Sequence, residues 1–119
     1  MIEGEGRREP IASMPGVERR SVDEVVRDAE KAARLGIPAI SMFPYTDPDL
    51  RDPTGSEALN RENLVCHAVR AAKKAVPAIG IITDVALDPY TSHGHHALIA
   101  DGALLHHATF ALLAAQRPF

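Results

Sequence analysis

The sequence predicts an α/β fold in which two parallel strands are joined by a crossover helix. Residues 37–43 form a short apolar segment with the composition of a buried strand, and residues 79–85 have the composition of a strand buried on both faces. Between them, residues 64–76 place apolar side chains at helical spacing. A strand, a helix and a strand in this order form a βαβ unit, in which the strands are parallel and the crossover is right-handed.

A first helix is predicted before this unit. Ser21 and Glu24 have the spacing of a capping box, and Leu35 followed by Gly36 is a typical helix end. The charged residues between these ends are expected to form the solvent-exposed face, with pairs three and four positions apart. They are Asp23, Glu24, Arg27, Asp28, Glu30 and Lys31.

The rest of the chain contains turns and one more helix. Asn60 is predicted to cap the crossover helix, after a connection rich in Asp and Pro, which favour turns. Asp101 and Gly102 predict a further turn. The Ala- and Leu-rich run that follows predicts a last helix, with His106 and His107 at a solvated start.

Size and composition exclude several classes of function. With 119 residues the chain is expected to form one segment, residues 1–119, and its net charge of −3 gives no basic surface for nucleic acid. No apolar run approaches the roughly 18 residues of a membrane span, and no signal-peptide pattern is present, so a cytoplasmic location is expected. Cys66 is the single cysteine, which excludes an internal disulfide and a multi-cysteine zinc site.

Chemically active side chains are concentrated in residues 79–96. Asp84 and Asp88 fall near the C-terminal end of the predicted strand, where ligands bind in α/β sheets and barrels. A carboxylate at this position can equally cap a turn, so the residues alone leave both roles open. His93 and His95 alternate along a segment expected to be extended, which would point them to opposite sides. His96 follows directly.

Four stretches of the chain are long enough to compare with known families. They are SMPGVERRSVDE (13–24), LGIPAISMFPYTDP (35–48), GSEALN (55–60) and TDVALDPYTSHGH (83–95). Taken together, and in this order, they resemble the porphobilinogen synthase (5-aminolevulinate dehydratase) family over residues 2–96, and the resemblance weakens afterwards. It implies a partial TIM (β/α)8 barrel. It also implies a lyase of haem and chlorophyll biosynthesis that condenses two 5-aminolevulinate molecules into porphobilinogen.

The resemblance also implies a set of site residues. Some members of the family hold zinc with three cysteines in the loop after the third strand, whereas others have Ala and Asp there and rely on magnesium. The matching positions here are Ala86, Asp88 and His96. Asp84 and Asp88 are thus the expected catalytic residues, and Asp88 and His96 the expected metal ligands. Oxygen ligands suit hard cations, so magnesium is the expected cofactor, with its main site outside this segment, and zinc is the alternative.

Lysine content bears on activity. The family's chemistry requires lysines that form Schiff bases with substrate ketones, and in the family these lysines lie on later strands. The only lysines here are Lys31, Lys73 and Lys74, and all three fall in predicted helices, away from the strand ends. We therefore expect the isolated chain, truncated before those lysines, to be inactive.

Two functions remain open at this stage. The first is a segment of a porphobilinogen synthase that acts on 5-aminolevulinate and is homo-oligomeric at full length. The second is a non-catalytic α/β module that associates with a full-length barrel or with itself, because open strand edges pair readily. Neither function predicts a nucleic-acid or membrane partner.

Overall fold

The structure, a computed structural model, describes residues 1–100 and 103–116. These residues form two compact units, Met1–Tyr45 with Leu64–Asp84, and Thr46–Asn63 with the described residues from Val85 onward. The helices are α1 (Val22–Arg34), α2 (Leu64–Ala75) and α3 (His106–Ala115), with short 3-10 turns at Pro48–Leu50 and Ser56–Leu59. The strands are β1 (Arg8–Pro10), β2 (Glu18–Arg20), β3 (Ala39–Met42), β4 (Gly80–Thr83), β5 (Ile99–Ala100) and β6 (Ala103–Leu104). The turn predicted at Asp101 and Gly102 lies outside the described residues.

The first unit contains the predicted βαβ arrangement. β3 and β4 pair in parallel, with Ser41 opposite Ile82, and α2 connects them. Its core joins one face of α1, one face of α2 and the inner side of the two strands. The buried members are Val22, Ala29, Ala32, Met42, Leu64, Ala68, Ala72 and Ile79. The α/β class and the parallel pairing are thus confirmed.

The expectation that the second strand is buried on both faces was wrong for the described residues, and the first strand is also open to solvent on one face. Ile40 and Ile81 pack against the helical core. Ile82 is 59% exposed, and Phe43, just after β3, is 58% exposed. Successive side chains of a strand point to opposite faces, and among the described residues the helices cover only one face of this pair.

The N-terminus of α1 differs from the predicted capping box. Ser21 is the N-cap, but its Oγ makes no hydrogen bond to the helix backbone amides. It accepts a hydrogen bond from the Arg7 N–H at 2.9 Å and donates one to Asp23 at 2.6 Å. Glu24 is not on the solvent-exposed face; it is buried and paired with Arg8 and Arg27.

The reason for this difference lies in the N-terminal segment. β1 and β2 form an antiparallel pair with Arg8 opposite Arg20, a feature that sequence analysis did not predict. This pairing brings the chain at Arg7 and Arg8 beside the start of α1. The Ser21 N–H consequently donates to the Arg7 carbonyl at 3.0 Å, instead of being capped by Glu24.

The start of α2 also differs from the prediction. The helix begins at Leu64, four residues after Asn60. The Asn60 side chain instead forms a local turn, in which its Oδ1 accepts a hydrogen bond from the Glu62 N–H at 2.9 Å. Short polar side chains of this type bond readily to nearby backbone outside helices, so a capping residue type does not by itself locate the cap.

The second unit has a small core of its own. Ala58, Leu87 and Tyr90 are buried together, and Leu112 and Leu113 of α3 pack against them. α3 begins at His106 as predicted, and both histidines at its start are exposed. Within residues 1–100 and 103–116, no helix is long and apolar enough to cross a membrane.

Candidate functional site

Asp84 lies where the sequence predicts it, at the C-terminal end of a parallel strand. It follows Thr83, the last residue of β4, and Thr83 pairs with Met42 at the end of β3. Asp84 is exposed. In α/β proteins, ligands bind at this edge of a parallel sheet. The Asp84 carboxylate is therefore accessible at the edge where a ligand is expected.

Asp88 is held in a tight turn of the second unit. The N–H groups of Tyr90 and Thr91 both donate to the Leu87 carbonyl, at 2.9 and 3.0 Å. Leu87 is fully buried, and Pro89 restricts the backbone on the other side of Asp88. The buried Leu87 side chain and this turn together fix the backbone position of Asp88.

Asp52 supports this turn from a neighbouring segment. Its N–H donates to the Tyr90 carbonyl at 3.3 Å, and the Ser92 N–H donates to the Asp52 carbonyl at 3.0 Å. The Asp52 carboxylate accepts hydrogen bonds from the side chains of Ser56 and Thr54, and from their backbone amides. These bonds hold the pKa of Asp52 far below its usual range, with Ser56 the largest cause.

Sequence analysis missed the supporting role of Asp52. The available signal was the string DPTGS, because an aspartate two residues before a Thr and four before a Ser suits a turn in which it accepts bonds from both. That pattern predicts a local turn. It does not show which distant segment the turn supports.

The structure brings Asp88 and His96 together. The Oδ1 atom of Asp88 and the Nδ1 atom of His96 are 3.0 Å apart. Asp88 Oδ1 is a buried atom that accepts no hydrogen bond from any described residue, whereas the His96 side chain is 71% exposed. Two ligand atoms each about 2.1 Å from one ion, at right angles, are separated by about 3 Å, so this spacing fits one shared cation.

The other two histidines of the loop are arranged differently from the prediction. Their rings are stacked, with centroids 5.4 Å apart, so the expectation that His93 and His95 point to opposite sides was wrong. Gly94 has a φ of +69°, a left-handed conformation that folds the segment back on itself. The His95 N–H donates to His93 Nδ1 at 3.2 Å, so that nitrogen is occupied by the backbone.

Comparison with known proteins gives the family. The family model for delta-aminolevulinic acid dehydratase matches residues 1–117. The chain belongs to this family. The delta-aminolevulinic acid dehydratase of Bradyrhizobium diazoefficiens is 64% identical over 116 residues, covering 98% of this chain and 33% of the relative. That of Chlamydia pneumoniae is 39% identical over 102 residues, covering 86% of this chain and 31% of the relative.

A solved structure of the family is also similar. The delta-aminolevulinic acid dehydratase (porphobilinogen synthase) of Toxoplasma gondii, determined in complex with the reaction product porphobilinogen, matches with a TM-score of 0.91 and 33% identity. The match covers 97% of this chain and 33% of that one. The chain thus spans about a third of the length of the curated relatives it matches. The resemblance predicted from the sequence is confirmed, and it extends beyond residue 96.

The metal chemistry of the delta-aminolevulinic acid dehydratase family can be compared with the residues present. Members of the family depend on zinc or magnesium. Asp88 and His96 fit a cation because one ligand oxygen is buried without a hydrogen-bond partner and the ring nitrogen lies beside it. Within residues 1–100 and 103–116, no three His, Cys, Asp or Glu side chains are grouped to hold a metal. A metal site that used Asp88 and His96 would therefore need water or further protein groups to complete its ligands.

The lysines lie where the sequence predicts them. Lys31 and Lys74 are exposed on α1 and α2. The Nζ of Lys73 donates to the carbonyls of Pro77 at 2.6 Å and Ile79 at 2.9 Å, just before β4 begins. This is the opposite end of the strand from Asp84. None of these amines is placed for Schiff-base chemistry at the C-terminal edge of the strands.

Proposed function

We propose that this chain is a segment of a porphobilinogen synthase, an enzyme that condenses two 5-aminolevulinate molecules into porphobilinogen. The observation that carries the proposal is the 64% identity to a delta-aminolevulinic acid dehydratase over 98% of the chain. The product-bound structure of the Toxoplasma relative supports it, with a TM-score of 0.91. In this proposal β3, α2 and β4 are consecutive parts of a (β/α)8 barrel, and residues 1–119 are one portion of it.

The proposed roles follow from the positions of the two carboxylates. Asp84 is exposed at the C-terminal edge of β4, where its carboxylate can accept a proton or a hydrogen bond from a substrate amino group. Asp88 is held by the turn at Leu87 and takes the role of main metal ligand, with His96 as the second. A bound metal ion at this pair would polarise a carbonyl or lower the pKa of a bound water.

The choice of metal follows from the ligand types. The carboxylate of Asp88 favours magnesium, whereas the imidazole of His96 favours zinc. We propose magnesium as the physiological ion of the full-length enzyme and zinc as the stronger binder of this isolated pair. A homo-oligomer and a cytoplasmic location remain predictions for the full-length protein, and the relative from Pisum sativum is described as chloroplastic.

A chimera tests the proposed function directly. The matched third of the Bradyrhizobium enzyme is replaced by this chain, and porphobilinogen formation from 5-aminolevulinate is measured. We expect activity within about tenfold of the parent enzyme, and a loss of at least a hundredfold in kcat with Asp84→Ala in the chimera. Glu30→Ala on the exposed part of α1 serves as the control. A folded chimera without activity would contradict the proposal.

The 119-residue chain alone is expected to be inactive. It is incubated with 5-aminolevulinate, assayed for pyrrole product and treated with borohydride to trap any Schiff base. We expect no product and no adduct, because no lysine lies at the C-terminal edge of β3 and β4. A borohydride adduct on Lys31, Lys73 or Lys74 would show that the placement argument is wrong.

A second candidate function is a non-catalytic module that docks onto another chain. The exposed apolar side chains of Ile82 and Phe43 on one face of the β3 and β4 pair favour it. Mixing the chain with the purified Bradyrhizobium enzyme and measuring the mass of the complex by light scattering separates the two functions. A stable complex together with an inactive chimera would favour the module.

A further inference from the structure

Gln116 connects the end of α3 to the loop that carries Asp88. Its Nε2 donates a hydrogen bond to the Ala86 carbonyl at 3.1 Å, across 30 residues of sequence. Ala86 is buried, and Gln116 is half-buried. The other side-chain atom of the amide, Gln116 Oε1, is buried and has no hydrogen-bond partner among the described residues. The amide is thus oriented toward Ala86 through its nitrogen.

α3 is held in place within the second unit, and this fixes the backbone position of Gln116 at the end of the helix. Thr109 is buried, and its Oγ donates to the Leu105 carbonyl at 2.7 Å and accepts from the Leu98 N–H at 2.9 Å. Leu112 and Leu113 pack against the cluster that contains Leu87. The helix therefore contacts the segment around Asp88 through apolar packing as well as through the Gln116 amide.

We infer that Gln116 is a positioning residue for Asp88, acting through the backbone of Ala86 and Leu87. The hydrogen bond from Gln116 holds the Ala86 carbonyl two residues before Asp88. The amides of Tyr90 and Thr91 hold the Leu87 carbonyl one residue before it. Asp88 follows two restrained peptide groups, and its Oδ1 is kept 3.0 Å from His96 Nδ1. This inference rests on the proposed metal role of Asp88 and His96.

The alternative is that the Gln116 bond is one of many ordinary contacts. Loss of the donor would then lower stability slightly and leave the loop unchanged. If Gln116 positions the loop, the Ala86 carbonyl loses its partner in a buried place, where an unpaired polar group is costly, and the segment shifts toward water. The distance between Asp88 and His96 then becomes variable, and the two ligands no longer act as a preorganised pair.

The test uses the full chain and zinc chloride alone as the probe. Gln116→Leu keeps the approximate size of the side chain and removes the donor, Gln116→Lys keeps a donor, and Gln116→Glu keeps the shape if the leucine variant does not fold. We expect Gln116→Leu to weaken zinc binding three- to tenfold by calorimetry, and Gln116→Lys to restore most of it. Phe110→Ala, at an exposed position of the same helix, is the matched control with unchanged affinity.

Amide hydrogen exchange of peptides covering residues 87–92 gives a readout that needs no metal. We expect exchange at Tyr90 and Thr91 to be about tenfold faster in Gln116→Leu and near the wild-type rate in Gln116→Lys. Unchanged exchange and unchanged zinc affinity in Gln116→Leu would overturn the inference. If Asp88→Ala leaves zinc affinity unchanged, the proposed metal site fails, and exchange at residues 87–92 alone decides the role of Gln116.

Discussion

At the scale of single residues, the two sides of the Asp88 carboxylate differ in their surroundings. Part of its side chain is exposed, yet its Oδ1 is buried beside His96 without a hydrogen bond from any residue that the structure describes. A buried carboxylate oxygen without a donor is costly, and a cation or a protonated imidazole removes that cost. In the proposed metal site, a cation bound beside this oxygen would remove that cost.

Metal titration of Asp88→Ala and His96→Ala tests both ligands. We expect Asp88→Ala to weaken zinc binding at least a hundredfold and His96→Ala to weaken it about tenfold, measured by calorimetry. His95→Ala is the control, since the hydrogen bonds that His95 makes to other described residues of this loop use its backbone N–H and carbonyl. Equal affinity in wild type and Asp88→Ala would rule out the pair as a site.

Asp52 gives a prediction about pH. Hydrogen bonds from Ser56 and Thr54 lower its pKa in the folded chain, so the ionised form is stabilised by folding. This contribution is fully present above the unfolded pKa of about 4 and is lost as pH falls below it toward the lower folded pKa. We expect Asp52→Asn to lower the free energy of unfolding by about 1 kcal/mol at pH 7, since the site is largely open to solvent.

Urea unfolding at pH 7 and pH 3 measures this difference, with Asp49→Asn from the same connection as the control. The difference in the free energy of unfolding between wild type and Asp52→Asn should be smaller at pH 3 than at pH 7. A difference of equal size at both pH values would mean that the charge of the Asp52 carboxylate does not cause the loss of stability.

At the scale of elements, the β3 and β4 pair depends on the absence of a side chain at Gly80. A Cβ at this position would lie 2.9 Å from the Ala39 Cβ and 3.2 Å from the Pro38 carbonyl oxygen. The Gly80 N–H also donates to that carbonyl at 2.8 Å. The two strands therefore approach each other more closely here than two side chains on the same face would allow.

Gly80→Ala is expected to lower the free energy of unfolding by about 1–3 kcal/mol, because the added methyl group must displace Ala39 or the backbone. Denaturant unfolding monitored by circular dichroism measures the change. The double variant Ala39→Gly with Gly80→Ala removes the nearest contact and should recover part of the loss. No recovery in the double variant would place the strain at the Pro38 carbonyl instead.

At the scale of the whole chain, apolar side chains on one face of the strand pair are open to solvent. Ile82 and Phe43 are more than half exposed, while the opposite face is covered by α1 and α2. Contiguous exposed apolar surface is typical of sites that contact another polypeptide, a membrane or a ligand, and it also favours aggregation. The relatives are about three times longer than this chain, so they contain further polypeptide that this chain does not match.

The isolated chain is therefore expected to self-associate. Size exclusion at increasing concentration should show oligomers for the wild type, and the double variant Phe43→Ser with Ile82→Ser should shift the distribution toward monomer. Leu35→Ser, at an exposed apolar position outside the strands, should leave it unchanged. A wild-type chain that stays monomeric at every concentration would show that these exposed apolar side chains do not drive self-association.

The sequence by itself determined the features that depend on local spacing. The apolar periodicity of α1 and α2, the order of strand and helix, and the place of Asp84 at a strand end all follow from residues a few positions apart. The family was also identifiable, because long strings such as TDVALDPYTSHGH carry more information than any single motif.

Only the tertiary structure decided which partner each polar group has. Glu24 is buried because β1 brings Arg8 beside it, and His93 stacks on His95 because Gly94 turns left-handed. The bond from Gln116 to Ala86 joins residues 30 positions apart. Helical and strand periods describe neighbours along the chain, whereas these contacts depend on which segments the core packing brings together, and the residue types allow many alternatives.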